Sequence, residues 1–142
     1  MRKLGLDIGT VRIGIAQSDM LGMLASNLET YTRKYIKVDV AHIVQIIQQN
    51  NIDTVVVGLP LKMNGEEGQS VQMVKDFVQE LQAQLQEKNM QIPIVYQDER
   101  LTTVSAERVL LSANVRREKR KQVVDKIAAQ IILQSYLDKP KK

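Results

Sequence analysis

The N-terminal stretch Leu4-Gly5-Leu6-Asp7-Ile8-Gly9 alternates bulky apolar residues with glycine and a single acid. Successive side chains of a strand point to opposite faces, so Leu4, Leu6 and Ile8 share one face and Gly5, Asp7 and Gly9 the other. The first face demands a core. The second is smooth and carries one carboxylate. Residues 12–18 read as a second strand beyond a tight Gly9–Thr10 connection, and Gly14 and Ala16 add more small residues. If these share the face of Asp7, its carboxylate stands in a hollow that a metal ion and a phosphate can approach. The competing role is a turn cap, with Asp7 accepting from the amides near Thr10. Glycine at both i−2 and i+2 favours the open site.

Further along, apolar spacing changes period several times. Residues 22–30 read as a third strand, weakened by Gly22 and Asn27, and residues 36–49 as a helix with Ile36, Val40, Ile43, Val44 and Ile47 on one stripe. Thr54–Val57 is a continuous β-branched run ended by Gly58 and Pro60, the pattern of a buried parallel strand. Residues 69–88 form a helix stripe through Val71, Val74, Val78, Leu81 and Leu85; residues 93–97 are a strand, and 103–112 and 118–138 are helices. The expected fold is therefore α/β. Its mixed sheet has five strands, three antiparallel and then two parallel, flanked by helices in the order of ribonuclease-H-like folds. That order alone licenses no function. A chain of 142 residues fits one domain, expected over 1–138, with a basic tail at 139–142.

Cysteine is absent, which excludes disulfides and thiolate zinc sites. No apolar run approaches the roughly 20 residues of a membrane span, and no signal peptide precedes the first strand, so a cytoplasmic protein with no membrane partner is expected. The charge is unevenly spread. Residues 1–99 carry 9 basic and 12 acidic side chains, whereas residues 100–142 carry 11 basic and 4 acidic, centred on Arg116, Arg117, Lys119, Arg120 and Lys121. Such a source attracts polyanions. A solvated helix face explains a basic run equally well.

Three acids stand in separate settings: Asp7 on the first strand, Glu99 just after a strand and Asp125 inside the last helix. One acid from each is a way to build a site for hard divalent cations, which prefer oxygen ligands and drive phosphodiester hydrolysis. Glu99 lies where an α/β sheet presents its chemistry, and Asp98, pointing the other way in an extended chain, is read as structural or as a support behind the site. Arg100 suits an acid or a phosphate. Asp125 borders a thin apolar side formed by Ala128, Ala129 and Ile132, where a carboxylate needs a partner. Lys121 and Lys126 offer a salt bridge instead. His42, the single histidine, is read as a helix-surface residue with no histidine, cysteine or acid partner nearby, leaving a histidine-based triad unsupported. Tyr96 and Tyr136 are read as partly buried rather than as a base-stacking platform.

Four blocks carry a resemblance to a known family: LDIGTVRIGIAQSD at 6–19, VVGLPLKMNGEEG at 56–68, DERLTT at 98–103 and KRKQVVDKIAAQIILQSYL at 119–137. In this order they resemble the YqgF (RuvX-like) family, described as Holliday junction resolvases and as pre-16S rRNA nucleases. The resemblance implies a ribonuclease-H-like fold with Asp7, Glu99 and Asp125 as catalytic acids and metal ligands. It implies one or two Mg²⁺ or Mn²⁺ ions and metal-dependent hydrolysis in 5′-end processing of pre-16S rRNA during ribosome biogenesis. The implied partners are structured RNA, with DNA as an alternative, and ribosomal particles. Arg12 beside the hairpin, Lys62 and Asn64 at the tip of the 58–68 loop, Arg100 and the basic run are the candidate substrate contacts; Arg12 suits a structural contact equally well, and the loop a plain connection. Two other readings stand beside the rRNA nuclease: a resolvase of branched DNA and a non-catalytic RNA-binding assembly factor. The D-I-G-T motif also resembles the phosphate loop of actin-like and sugar-kinase ATPases, which need a second lobe that 142 residues do not provide.

Overall fold

In the computed structural model, residues 1–60, 68–98 and 117–139 are described, residues 117–126 by their helical backbone alone. The chain begins with strands β1 (Arg2–Ile8), β2 (Arg12–Ser18) and β3 (Ala25–Thr32). Helix α1 (Ile36–Gln49) leads to β4 (Ile52–Leu59), helix α2 (Gln69–Glu87) to β5 (Ile94–Asp98), and helix α3 (Arg117–Leu137) comes last. The sheet order is β3-β2-β1-β4-β5. The β1–β2 and β2–β3 pairs are antiparallel, the β1–β4 and β4–β5 pairs parallel. This is the expected five-stranded mixed sheet; the expected helix at 103–112 lies outside the described residues.

The alternation along β1 sorts the molecule into layers. Leu4, Leu6 and Ile8 join Ile13, Ile15, Val55 and Val57 in the larger core, closed by Val40, Ile43, Val44 and Ile47 of α1 and Val74, Phe77, Val78 and Leu81 of α2. The opposite face carries a smaller core in which Ala16, Ala25 and Val56 meet Ala129, Ile132 and Leu133 of α3. β4 is buried on both sides, which accounts for its unbroken Val55-Val56-Val57 run.

The two crossover helices stop by one device. Asn51 and Asn89, just past α1 and α2, adopt left-handed backbone with φ of 55° and 56°. Asparagine tolerates that region better than other residues carrying a Cβ. The third strand starts later than the expected residue 22. Asp19 Oδ1 accepts from the amides of Met23 at 2.8 Å and Leu24 at 3.4 Å, and Gly22 turns with φ 71°. Residues 19–24 therefore fold into an Asp-anchored turn instead of extending β2's partner.

Candidate functional site

Asp7 sits near the C-terminal end of β1, where Gly14 of β2 is its antiparallel partner. On its other side, the Leu6–Val57 pair puts Gly58 of β4 one step on, level with Asp7. Gly58 in turn pairs with Gln97 of β5, and Gly14 with Thr30 of β3. A row thus crosses the whole sheet: Thr30, Gly14, Asp7, Gly58, Gln97. Asp7 is flanked by two glycines, so its carboxylate rises between positions that have no side chains. Gly14 flanks Asp7 on one side as the alternation predicts, and its second flank is Gly58, which reads in sequence only as a strand terminator.

Helix α3 lies over this face because the strands beneath it are bare. A Cβ on Gly5 would come within 2.7 Å of Leu133 Cβ and 3.0 Å of the Ala129 carbonyl, so only glycine permits the approach. A Cβ on Gly14 would stand 3.4 Å from Ala129 Cβ and 3.6 Å from Asp7 Cβ. Leu133 above Gly5 and Ala129 above Gly14 fix the helix direction: α3 runs against β1. The backbone of Asp125, one turn before Ala129, therefore continues about 6 Å further towards the C-terminal end of β1. β5 reaches the same end of the sheet, since Asp98 pairs with Leu59. Of the three candidate acids, Asp7 is described in full and Asp125 by its backbone, while Glu99 lies outside the described residues.

Arg12 opens β2, is exposed, and shares the alternation of Gly14 and Ala16, which puts it on the Asp7 face at the hairpin mouth. Its carbonyl accepts from the Gly9 amide at 2.9 Å and closes the hairpin. Lys62, Asn64, Arg100 and Arg116 lie outside the described residues, and Arg117, Lys119, Arg120 and Lys121 are placed as α3 backbone only. Asp98 alternates with Gln97, as expected of an acid turned away from Asp7. Tyr136 is partly buried against the α3 core, and Tyr96 is 38% exposed.

The hairpin tip is held from the other face. Arg33 Nη1 donates to the Gly9 carbonyl at 3.0 Å, and its Nε donates to Asp39 Oδ2 at 2.9 Å. Asp39 is wholly buried and also accepts from Tyr31 Oη at 3.1 Å and the Lys34 amide at 2.8 Å. Burial drives the Asp39 carboxyl upward, but these donors outweigh it and hold the group below its ordinary 3.8. Burial and the Asp39 carboxylate together push the Tyr31 phenol above its ordinary value. This network was not read from sequence, yet a signal existed: Asp39 falls on the apolar stripe of α1, three residues after Ile36 and four before Ile43. His42 corrects an expectation. Its Nε2 lies 2.8 Å from Glu29 Oε1 and its ring stacks on Tyr31 at 4.4 Å. The acid comes from β3, thirteen residues away, which local spacing does not reveal.

Gln97 was also missed. It is 2% exposed, and its Oε1 is buried and accepts no hydrogen bond among the described residues. Among the described residues, the oxygen donors of this row include the Asp7 carboxylate and, two strands away, the Gln97 amide oxygen. That set fits Mg²⁺ or Mn²⁺ rather than a thiolate- or imidazole-seeking metal. No group of three acids, histidines or cysteines converges among the described residues, where Asp7 is the one acid of the candidate triad with a described side chain. No described helix is long and apolar enough to cross a membrane.

Comparison with known proteins places these observations. The profile of the family described as "RuvX: Holliday junction resolvase" matches residues 1–139. A protein of Halalkalibacterium halodurans named "Putative pre-16S rRNA nuclease" is 47% identical over 141 residues, covering 98% of this chain and 97% of its own. One of Moorella thermoacetica with the same name is 44% identical over 139 residues, covering 98% and 96%. Among solved structures, T. thermophilus RuvC in complex with Holliday junction substrate superposes with TM-score 0.56 at 14% identity, covering 97% of this chain and 96% of that one. The fowlpox virus Holliday junction resolvase gives TM-score 0.52 at 13% identity, covering 97% and 99%. At such identities the likeness establishes the fold, which is ribonuclease-H-like.

Proposed function

The chain belongs to the RuvX family, and from that premise we propose that it is a metal-dependent nuclease that hydrolyses phosphodiester bonds during 5′-end processing of pre-16S rRNA. The supporting observation is the cross-strand row in which Asp7 rises between Gly14 and Gly58 on the face covered by α3. A carboxylate fixed on a central strand, with bare backbone on both sides, lets a cation and a phosphate come close without displacing side chains.

Asp7, Glu99 and Asp125 are the residues proposed to hold one or two Mg²⁺ or Mn²⁺ ions. The chemistry that such ions supply when bound is activation of water and stabilisation of the leaving oxygen. The protein's own part is positioning. β1 holds Asp7 rigidly between two paired strands, and Arg33 secures the hairpin immediately after it. Arg12, exposed at the hairpin mouth, is proposed to contact a substrate phosphate, as are Lys62, Asn64 and Arg100. The run Arg116, Arg117, Lys119, Arg120 and Lys121 would add salt-sensitive, sequence-independent backbone affinity. Residues 1–138 are proposed to act as one domain, on structured RNA in the cytoplasm and within ribosomal particles.

The test is cleavage of three labelled substrates: single-stranded RNA, a precursor 16S leader and a four-way DNA junction. Each is incubated with Mg²⁺, Mn²⁺ or EDTA, using wild type and Asp7→Asn. The expected result is metal-dependent cleavage of the leader, reduced at least about 100-fold in Asp7→Asn while the circular dichroism spectrum is unchanged. Preferential cutting of the junction reassigns the substrate to branched DNA. Tight RNA binding without cleavage in any metal supports the assembly-factor reading instead.

A further inference from the structure

Gln97 and Gln17 are the two described residues whose buried side-chain oxygen accepts no hydrogen bond among the described residues, and of the two Gln97 lies in the row of Asp7. It is 2% exposed on β5, and its carboxamide oxygen is buried without a hydrogen bond among the described residues. An unpaired buried acceptor is costly, so a side chain of this kind in a packed protein signals a partner that the described residues do not supply. Its place on the sheet identifies the partner's chemistry. Val56 lies in the α3 core, and the alternation that carries Val56 to that face carries Gly58 there as well. Gly58 pairs with Gln97, so Gln97 and Asp7 belong to one row on one face, separated only by a residue with no side chain.

We infer that Gln97 Oε1 is an acceptor for the water shell of a divalent cation held at Asp7, and so helps to set cation affinity; this rests on the metal-dependent reading of Asp7. Two strand spacings separate the two backbones by about 9.6 Å. That distance is too long for direct contact between a carboxylate and a carboxamide held upright on their strands. A series of carboxylate, cation, ordered water and amide oxygen would span up to about 7 Å, from two bonds of about 2.1 Å and a hydrogen bond of about 2.8 Å, and would close once both side chains lean over the bare Gly58. A neutral amide oxygen is chemically suited to the role. It orients water by accepting a proton and adds no charge that would retain the cation after turnover.

The experiment compares wild type, Gln97→Met, Gln97→Glu and Asp7→Asn by Mn²⁺ titration calorimetry and by thermal unfolding in EDTA. Methionine keeps the length and removes the acceptor. In EDTA, Gln97→Met is expected to unfold at or above the wild-type midpoint, because an orphan acceptor has been replaced by an apolar group. Its Mn²⁺ dissociation constant is expected to rise about 10-fold, the lower end of the loss caused by removing a hydrogen-bond partner from a metal's outer shell. Gln97→Glu restores an oxygen at the same reach with a charge, and is expected to bind Mn²⁺ more tightly than wild type while unfolding earlier in EDTA. Wild-type Mn²⁺ affinity in both Gln97 variants, with binding lost in Asp7→Asn, overturns the inference and leaves the reading of Asp7 intact. Equal Mn²⁺ affinity in wild type and Asp7→Asn overturns both.

Discussion

Arg33 and Asp39 are joined by a 2.9 Å ion pair between Nε and Oδ2, with the aspartate entirely buried and the arginine side chain 14% exposed. The same guanidinium reaches the Gly9 carbonyl, so one planar fork ties the α1 core to the hairpin beyond Asp7. Phe77 lies beneath it, with the guanidinium carbon 5.6 Å from the ring centroid. Arg33→Met leaves a buried carboxylate without its cation, a change that costs about 3–5 kcal/mol. Urea unfolding of the variant is expected to show a loss in that range. Arg33→Lys keeps the charge but cannot serve Asp39 and Gly9 together, because a single ammonium lacks the fork. Its expected signature is a smaller stability loss with nuclease turnover still depressed. Full activity in Arg33→Lys would show that the Gly9 tether does not matter.

Acid sensitivity arises from the same carboxylate. Asp39 has a folded-state pKa below its ordinary 3.8, so between the two values the unfolded chain binds the proton and the folded protein does not. Its stabilising contribution is complete above the unfolded value and is lost as pH falls through the folded one. Asp53, desolvated but donated to by Lys3 at 2.7 Å, is shifted in the same direction. The unfolding free energy is therefore expected to fall as pH drops below about 4. Asp39→Asn should be less stable at neutral pH and flatter over that acid limb. An identical acid slope in the variant would assign the limb to other groups.

The fold was legible because its signals are local. The Leu4-Leu6-Ile8 alternation, the β-branched run before Gly58 and the stripes of α1 and α2 each state which side is buried, and the structure buries those sides. The small-residue setting of Asp7 was legible for the same reason, since glycine at i±2 is visible in the strand itself. The other partners of the site are not local. Gly58 comes to lie beside Asp7 only through the β1–β4 register, and Gln97 joins the row only through β5. His42 meets Glu29 across a strand and a helix. Register between distant strands is set by tertiary packing, so single-sequence periodicity cannot supply these pairs.

Helix α3 is fastened to the far end of the sheet by two glutamines. Gln134 Oε1 accepts from the Ala25 amide at 2.9 Å, and its Nε2 donates to the Met23 carbonyl at 2.9 Å. Gln130 Nε2 donates to the Ala25 carbonyl at 3.1 Å. Ala25 is 7% exposed, so Gln134→Ala leaves its amide buried and unpaired. The expected loss is about 1–3 kcal/mol, read as a lower urea midpoint. Faster amide exchange at Ala25 should accompany it, and unchanged protection there would disprove the clamp.

Gly5 and Gly14 lie under the same helix but should respond differently to substitution. At Gly5 an added Cβ meets Leu133 Cβ at 2.7 Å and a backbone oxygen at 3.0 Å, so α3 must move. Gly5→Ala is expected to destabilise the fold by about 1–3 kcal/mol, the usual cost of overpacking. At Gly14 the nearest atoms are 3.4 and 3.6 Å away, an ordinary contact, and Gly14→Ala should fold with near wild-type stability. Valine there adds two methyl groups between Ala129 and Asp7, on the side from which a cation would approach. Gly14→Val is therefore expected to lower Mn²⁺ affinity and nuclease turnover by at least about 10-fold, the scale at which outer-shell changes act on a metal site. Calorimetry and leader cleavage on the folded variant measure both. Full turnover in Gly14→Val would mean that substrate and metal reach Asp7 by another route, and that the bare strand beside it serves only the packing of α3.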